Sequence, residues 1–203
     1  ARRYQRGRQM LTIRNTEVHG LERALRASGN AMSTGIVDTT NDAQPASKSL
    51  ARGMKLGTNP AGSAHDHYLC GIVVQMDILY PQYWAPEAGR YHWFEIICSQ
   101  STMHRLTTSL SNFSDPYNKY VDDRTKAIVR EKLDKYNAAP CYEYFMELRS
   151  NLPAGNEMWE TVTTNYLQLK TMYAQRRNHK LKEDWVAFCD WCDSLPLFKE
   201  LTQ

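Results

Sequence analysis

Apolar and polar positions along the chain fall into two regimes. The stretch Tyr68-Leu69-Cys70-Gly71-Ile72-Val73-Val74-Gln75-Met76-Asp77-Ile78-Leu79 is rich in β-branched residues. It opens nearly continuous and closes in alternation, which predicts the clearest strand in the chain. Met10-Leu11-Thr12-Ile13 reads as a second, short strand. Elsewhere the apolar positions recur at helical spacing. Thr16 stands as N-cap before Val18, Leu21, Ala24 and Leu25, with Gly29 as a stop. Ser47 to Leu56 forms a short helix ended by Gly57 and the turn-forming Asn59-Pro60 and Gly62. After Asp115-Pro116 the text is helical: Tyr120–Tyr136, Tyr142–Arg149, and a long helix from about Asn156 to Arg176. The last of these carries Trp159, Val162, Tyr166, Leu169 and Tyr173 on one face. Trp185 to Cys192 forms a final helix, stopped at Leu195-Pro196. Tyr91 to Ile97 fits a strand or a helix, and residues 33–47, polar and without a period, read as an exposed loop. The fold class expected is α+β (α/β): a central sheet packed by helices, with a mainly helical C-terminal half. It divides into a basic arm at residues 1–9 and a single domain over residues 10–203.

Composition narrows the classes. With 42% apolar and 23% charged residues among 203, the chain has the makings of a core and not of a disordered segment. No apolar run reaches membrane-spanning length. The basic N-terminus lacks the apolar segment a secretory signal needs. Five cysteines, an odd number without framework spacing, point to reduced thiols and a cytoplasmic setting. A net charge of +3 is too small to argue nucleic-acid binding from the whole chain.

Four constellations carry candidate chemistry. Cys189-x-x-Cys192 lies one turn apart between Phe188 and Trp191 and reads as a pair of core thiols, not as a zinc or redox site. Gly62-Ser63-Ala64-His65-Asp66-His67 sets two histidines just before the strand. That position suits ligand contact, while a third metal ligand at fixed spacing is missing and no metal is expected. Cys98-Ser99-Gln100-Ser101-Thr102-Met103-His104-Arg105 leads hydroxyls, an amide and two cationic-capable groups into a helix start. This is either an anion site or an ordinary capped helix. No Gly-x-Ser-x-Gly elbow accompanies its serines, so a hydrolase is not favoured. Arg176-Arg177-Asn178-His179-Lys180 closes a helix, where cations either complement the dipole or clamp a phosphate. Asn165 precedes Arg176 by about three turns, roughly the length of a nucleotide.

The order of these features resembles the flavin-dependent thymidylate synthases. Leu152-Pro153, then Asn165-Tyr166-Leu167-Gln168-Leu169, then Arg176, His179 and Glu183/Trp185 is similar to that family's C-terminal signature. There a Leu-Pro turn leads into a helix with an Asn, an Arg closes it, and a His and a Trp-Glu pair follow. Upstream, Leu21 to Ser28, a short helix, a His before a long strand, a Pro-aromatic segment and a polar motif keep the family's order. The motif Arg-His-Arg-x-x-Ser-x-Asn-Glu-x-Ser-x-Arg is not present. Arg90-Tyr91-His92, Glu95 and Ser99 to Arg105 stand in its region. The resemblance implies a homotetramer with sites at subunit junctions, FAD with a reduced folate and NADPH, and one-carbon transfer and reduction on a pyrimidine deoxynucleoside monophosphate. Ser99, Ser101, His104, Arg105, Asn165 and Arg176 would then meet substrate. His65, His67, Arg90, His92 and His179 would lie on the flavin side, and no catalytic residue is assigned. The segment Ser101 to Leu106 is also similar to sequences of phages and mobile elements. Two other readings stay open: a non-catalytic nucleotide-binding or interaction protein on the same scaffold, and, ranked last, a DNA-binding protein using the basic arm.

Overall fold

The structure, a computed structural model, describes residues 11–40, 46–112 and 115–203. The basic arm, the first residue of the expected Met10–Ile13 strand and part of the 33–47 loop lie outside these residues. In chain order the elements are β1 (Thr12–His19), α1 (Leu21–Ala27), α2 (Ala46–Gly57), β2 (Val73–Pro81), α3 (Ala85–Ala88) and β3 (Glu95–Ser99). There follow α4 (Leu106–Asn112), α5 (Asp123–Ala138), α6 (Tyr142–Ser150), β4 (Glu157–Asn165), α7 (Tyr166–Arg176), α8 (Lys182–Asp193) and α9 (Phe198–Thr202). The strands form one antiparallel sheet in the order β1-β2-β4-β3. This is the expected α+β architecture, with helices making up most of the C-terminal half.

Two of the sequence expectations are corrected. The helix read from Thr16 is a strand up to His19, with Val18 paired to Val74 of β2. Its apparent apolar stripe belongs to two elements. Val18 faces the sheet core, while Leu21, Ala24 and Leu25 belong to α1. Gly20 makes the break: its φ is +78°, and a Cβ there would stand 2.5 Å from the Gly71 carbonyl oxygen. The helix read over 156–176 is strand β4 for its first half. Thr161-Val162-Thr163-Thr164 is β-branched, and β4 is paired on both sides, by β2 and β3. Asn165 turns the chain: its backbone is extended, and its Oδ1 accepts from the Gln168 N–H at 2.9 Å, capping α7. The best predicted strand also starts late, because His67–Gly71 forms a 3₁₀ turn before β2. Tyr91–Ile97 resolves as a turn followed by β3.

One sheet face carries Val74, Met76, Ile78, Tyr80 and Val162 onto Tyr166, Leu169, Met172, Trp185 and Phe188, all buried. An aromatic cluster closes it, with Trp84 4.9 Å from Trp185 and 6.0 Å from Phe94 between ring centroids. Leu106, Leu110, Val129, Leu133 and Leu148 make a second, smaller core joining α4, α5 and α6. Helix α2 lies so close to α9 that a Cβ on Gly57 would sit 2.0 Å from the Leu201 carbonyl oxygen. Strand β3 is the outlier. It is exposed along its whole length, with Ile96 and Ile97 more than half exposed.

Candidate functional site

Strand β3 carries a polar cluster at each end. At its C-terminal end the chain makes a turn into α4. The Ser101 hydroxyl accepts from the His104 N–H at 3.0 Å and braces this turn; α4 begins only at Leu106, so Ser101 does not cap the helix, and His104 and Arg105 precede it instead of forming its first turn as the sequence suggested. His104 and Arg105 are exposed beside it. Arg149 of α6 reaches under the turn, its guanidinium donating to the Thr102 hydroxyl and carbonyl at 3.3 Å each. Arg149 thus contacts the turn, and His104 and Arg105 are exposed within it, so the segment carries the donor types that a phosphate or carboxylate needs. Arg149 was not found from sequence, because only the folded packing of α6 brings it here. Ser99 pairs with Glu160 of β4. Glu160 is buried, and burial raises its carboxyl pKa against the lowering effect of the Tyr80 hydroxyl.

A recess adjoins this turn between β4 and α4. Leu79, Gln100, Ser101, Thr102, Leu106 and Trp159 are among the residues that line it. The cavity is about 40 Å³ in volume. Gln100 is fixed in place, its N–H donating to the Trp159 carbonyl at 2.9 Å and its amide to the Ser109 hydroxyl at 3.2 Å.

At the other end of β3, residues 90–94 lie against α7. The Trp93 N–H donates to the Gln168 side chain at 3.2 Å, and the Tyr91 hydroxyl donates to Gln175 at 3.0 Å. Arg90, His92 and Trp93 are left exposed, the two rings in edge contact at 4.9 Å. The 3₁₀ turn containing His67 also packs against α7. Asp66 is buried and paired with Lys170 of α7 at 2.6 Å. Lys170 also donates to the carbonyls of Gly57 and Asn59. This latch fixes the loop and leaves His65 and His67 on the surface. Asn165 lies at the same end of the sheet, with its side-chain oxygen engaged in the α7 cap.

Arg176 and His179 meet at a third point. The Glu87 carboxylate accepts from Arg176 at 3.1 Å and from the Trp185 indole at 2.9 Å, with the His179 ring nitrogen at 3.5 Å. The Arg176 guanidinium lies 4.7 Å from the Trp185 ring centroid and donates to the Tyr91 hydroxyl at 2.7 Å. Glu87 is absent from any sequence motif; it becomes legible only when α3 meets α7 and α8. Ser99, Ser101, His104 and Arg105 thus follow one another at the C-terminal end of β3 and in the turn after it, and Arg90 and His92 precede its N-terminal end, while His65 and His67 flank the Asp66–Lys170 pair. The first two groups lie at opposite ends of β3. The offset of five residues between Glu160 and Asn165 along β4 corresponds to about 17 Å.

Among the described residues the cysteines are all free, and Cys189 and Cys192 lie in the core as read from sequence. Burial pushes the Cys189 thiol up to about 11. No described group of three His, Cys, Asp or Glu could hold a metal, and no described helix is long and apolar enough to cross a membrane.

No protein-family model and no curated protein matches the sequence. The fold does match solved structures. The flavin-dependent thymidylate synthase ThyX from Helicobacter pylori, complexed with FAD and dUMP, has a TM-score of 0.66 at 13% identity, over 92% of this chain and 95% of that one. Another structure of that enzyme with the same ligands gives 0.65 at 15%, over 95% and 96%. The UMP/dUMP methylase PolB from Streptomyces cacaoi, bound with 5-Br dUMP, gives 0.65 at 14%, over 96% and 95%. The chain thus has the fold of the flavin-dependent thymidylate synthases, over nearly its full length.

Proposed function

We propose that this chain, carrying that fold, is a flavin-dependent enzyme acting on a pyrimidine deoxynucleoside monophosphate, with one-carbon transfer and reduction at the base. The observation that carries the reading is the pair of polar clusters at the two ends of β3, on a scaffold whose structural neighbours were solved with FAD and dUMP or 5-Br dUMP. Ser101, Thr102, Arg105 and Arg149 screen the nucleotide phosphate, and His104 stands at its rim. Arg90, His92 and Trp93, with His65 and His67, hold the flavin. FAD, when bound, supplies hydride chemistry, with a reduced folate as one-carbon donor and NADPH as reductant. The protein's part is to orient the base and exclude water.

One chain does not bring both clusters together, since about 17 Å of sheet separates them. A homo-oligomer does so when the cluster at one end of β3 faces the opposite cluster of a neighbouring copy. The exposed Ile96 and Ile97 on β3 support such an arrangement. A second reading, a nucleotide-binding module without flavin chemistry, is favoured by Arg176: Glu87 and Tyr91 already occupy the guanidinium that the resemblance gives to substrate.

The test is the visible absorption spectrum of freshly purified protein, repeated after incubation with FAD and desalting. A retained flavin band supports the enzyme. Absence of the band in both samples, with nucleotide binding intact by calorimetry, replaces it with the binding module.

A further inference from the structure

The segment between α3 and β3 is held by one face of α7. Tyr91 and Phe94 are buried, while Arg90, His92 and Trp93 are exposed. Three α7 side chains make the hold. Gln168 accepts from the Trp93 N–H at 3.2 Å, Gln175 accepts from the Tyr91 hydroxyl at 3.0 Å, and Arg176 donates to that hydroxyl at 2.7 Å. Spacings of seven and eight residues from Gln168 put all three on one side of the helix.

Arg176 ties this hold to the rest of the fold. Its Nε–H goes to Tyr91 and its Nη1 to Glu87 of α3 at 3.1 Å, and its side chain is 11% exposed. The guanidinium lies 5.3 Å from the Tyr91 ring centroid and 4.7 Å from that of Trp185. The Glu87 oxygen it meets also accepts from the Trp185 indole at 2.9 Å. An anionic substrate reaching Arg176 would have to displace a carboxylate held by two donors. Tyr91 stands between Arg90 and His92, so whatever fixes its hydroxyl fixes the backbone from which those two side chains project. We propose that Arg176 is a positioning residue: through the Tyr91 hydroxyl it sets the placement of Arg90 and His92, and it does not itself bind substrate. The functional consequence rests on the reading of Arg90 and His92 as flavin contacts given above, and it ties Arg176 to cofactor affinity instead of nucleotide affinity.

Tyr91→Phe keeps the ring and the Arg176–Glu87 pair and deletes only the hydroxyl. Arg176→Lys keeps the charge but loses the planar fork that serves Glu87 and Tyr91 together. Deuterium exchange read by mass spectrometry, with titrations of FAD and of dUMP, compares both variants with the wild type. In each variant the amides of residues 91–94 should exchange about tenfold faster, the effect of roughly one lost hydrogen bond, with β2 and β4 unchanged. FAD should bind about tenfold more weakly to each, and dUMP within about twofold of its wild-type affinity. Loosening confined to this segment, with selective loss of FAD, separates positioning from a general loss of stability. Weaker dUMP binding in Arg176→Lys but not in Tyr91→Phe would make Arg176 a substrate ligand and overturn the proposal. Exchange at residues 91–94 that matches the wild type in both variants would overturn it too. A wild type that takes up no FAD sinks the flavin reading and the cofactor effect with it, while the exchange rates still decide whether Arg176 holds the segment.

Discussion

The Asp66–Lys170 latch gives the sharpest quantitative expectation. Both side chains are withdrawn from water, at 2% and 10% exposure, and Lys170 meets three acceptors: the Asp66 carboxylate and the carbonyls of Gly57 and Asn59. Lys170→Met keeps the apolar stem against its neighbours and removes the charge, stranding a buried carboxylate. Breaking one side of a buried pair costs about 3–5 kcal/mol. At about 2.1 cal/mol/K of unfolding entropy per residue, a chain of 203 residues loses roughly 2–2.5 °C of Tm per kcal/mol. The variant should therefore melt about 7–12 °C lower by circular dichroism at neutral pH. The double variant Asp66→Asn/Lys170→Met removes the stranded charge and should recover at least half of that loss. A single variant that melts within about 2 °C of wild type, or a double variant no better than the single, would refute the argument that burial makes this pair costly to break.

Three further outcomes are expected. Burial, helped by the nearby charges of Glu183 and Glu87, raises Asp184 from 3.8 to about 6 despite the Tyr83 hydroxyl. A raised acid favours the folded state most below about pH 4 and loses that advantage as pH rises through 6, by as much as about 3 kcal/mol. Asp184→Asn should flatten this step in denaturant titrations at pH 4 to 7, and equal slopes in the two proteins would count against it. Arg149→Ala should weaken nucleotide monophosphate binding by about tenfold, the value of one charge-assisted hydrogen bond, and Arg105→Ala should do likewise; unchanged affinity in both removes the phosphate site from the turn. Ile96→Lys should shift the light-scattering mass toward one chain at micromolar concentration, and an unchanged mass would clear β3 of any role in assembly.

The helices α5, α6 and α8 were legible because each carries its whole apolar stripe within one segment. The β4 segment was not. Trp159, Val162, Tyr166, Leu169 and Tyr173 recur at helical spacing only because a strand and a helix happen to join at Asn165 in compatible phase. The competing signal, four consecutive residues from Thr161 that are all β-branched, was present but short, and pairing with β2 and β3 decided it. The Val18 misreading has the same origin at Gly20. Among site residues, the polar runs around Ser101 and His65 were visible as compositional islands. Glu87 and Arg149 were not, since each joins its cluster from a distant segment and carries no local pattern of its own.

The close approach of α2 to α9 has a consequence for how the chain assembles. Gly57 lies against the Leu201 backbone, and Leu201 and Phe198 are wholly buried. The contact joins an early helix to one near the opposite end of the sequence, so closing it means closing most of the chain into a loop. During synthesis α2 emerges long before its partner surface exists, with the sheet strands that follow it also waiting for β4. The N-terminal layer must stay provisional until α9 leaves the ribosome, which favours late consolidation over sequential growth.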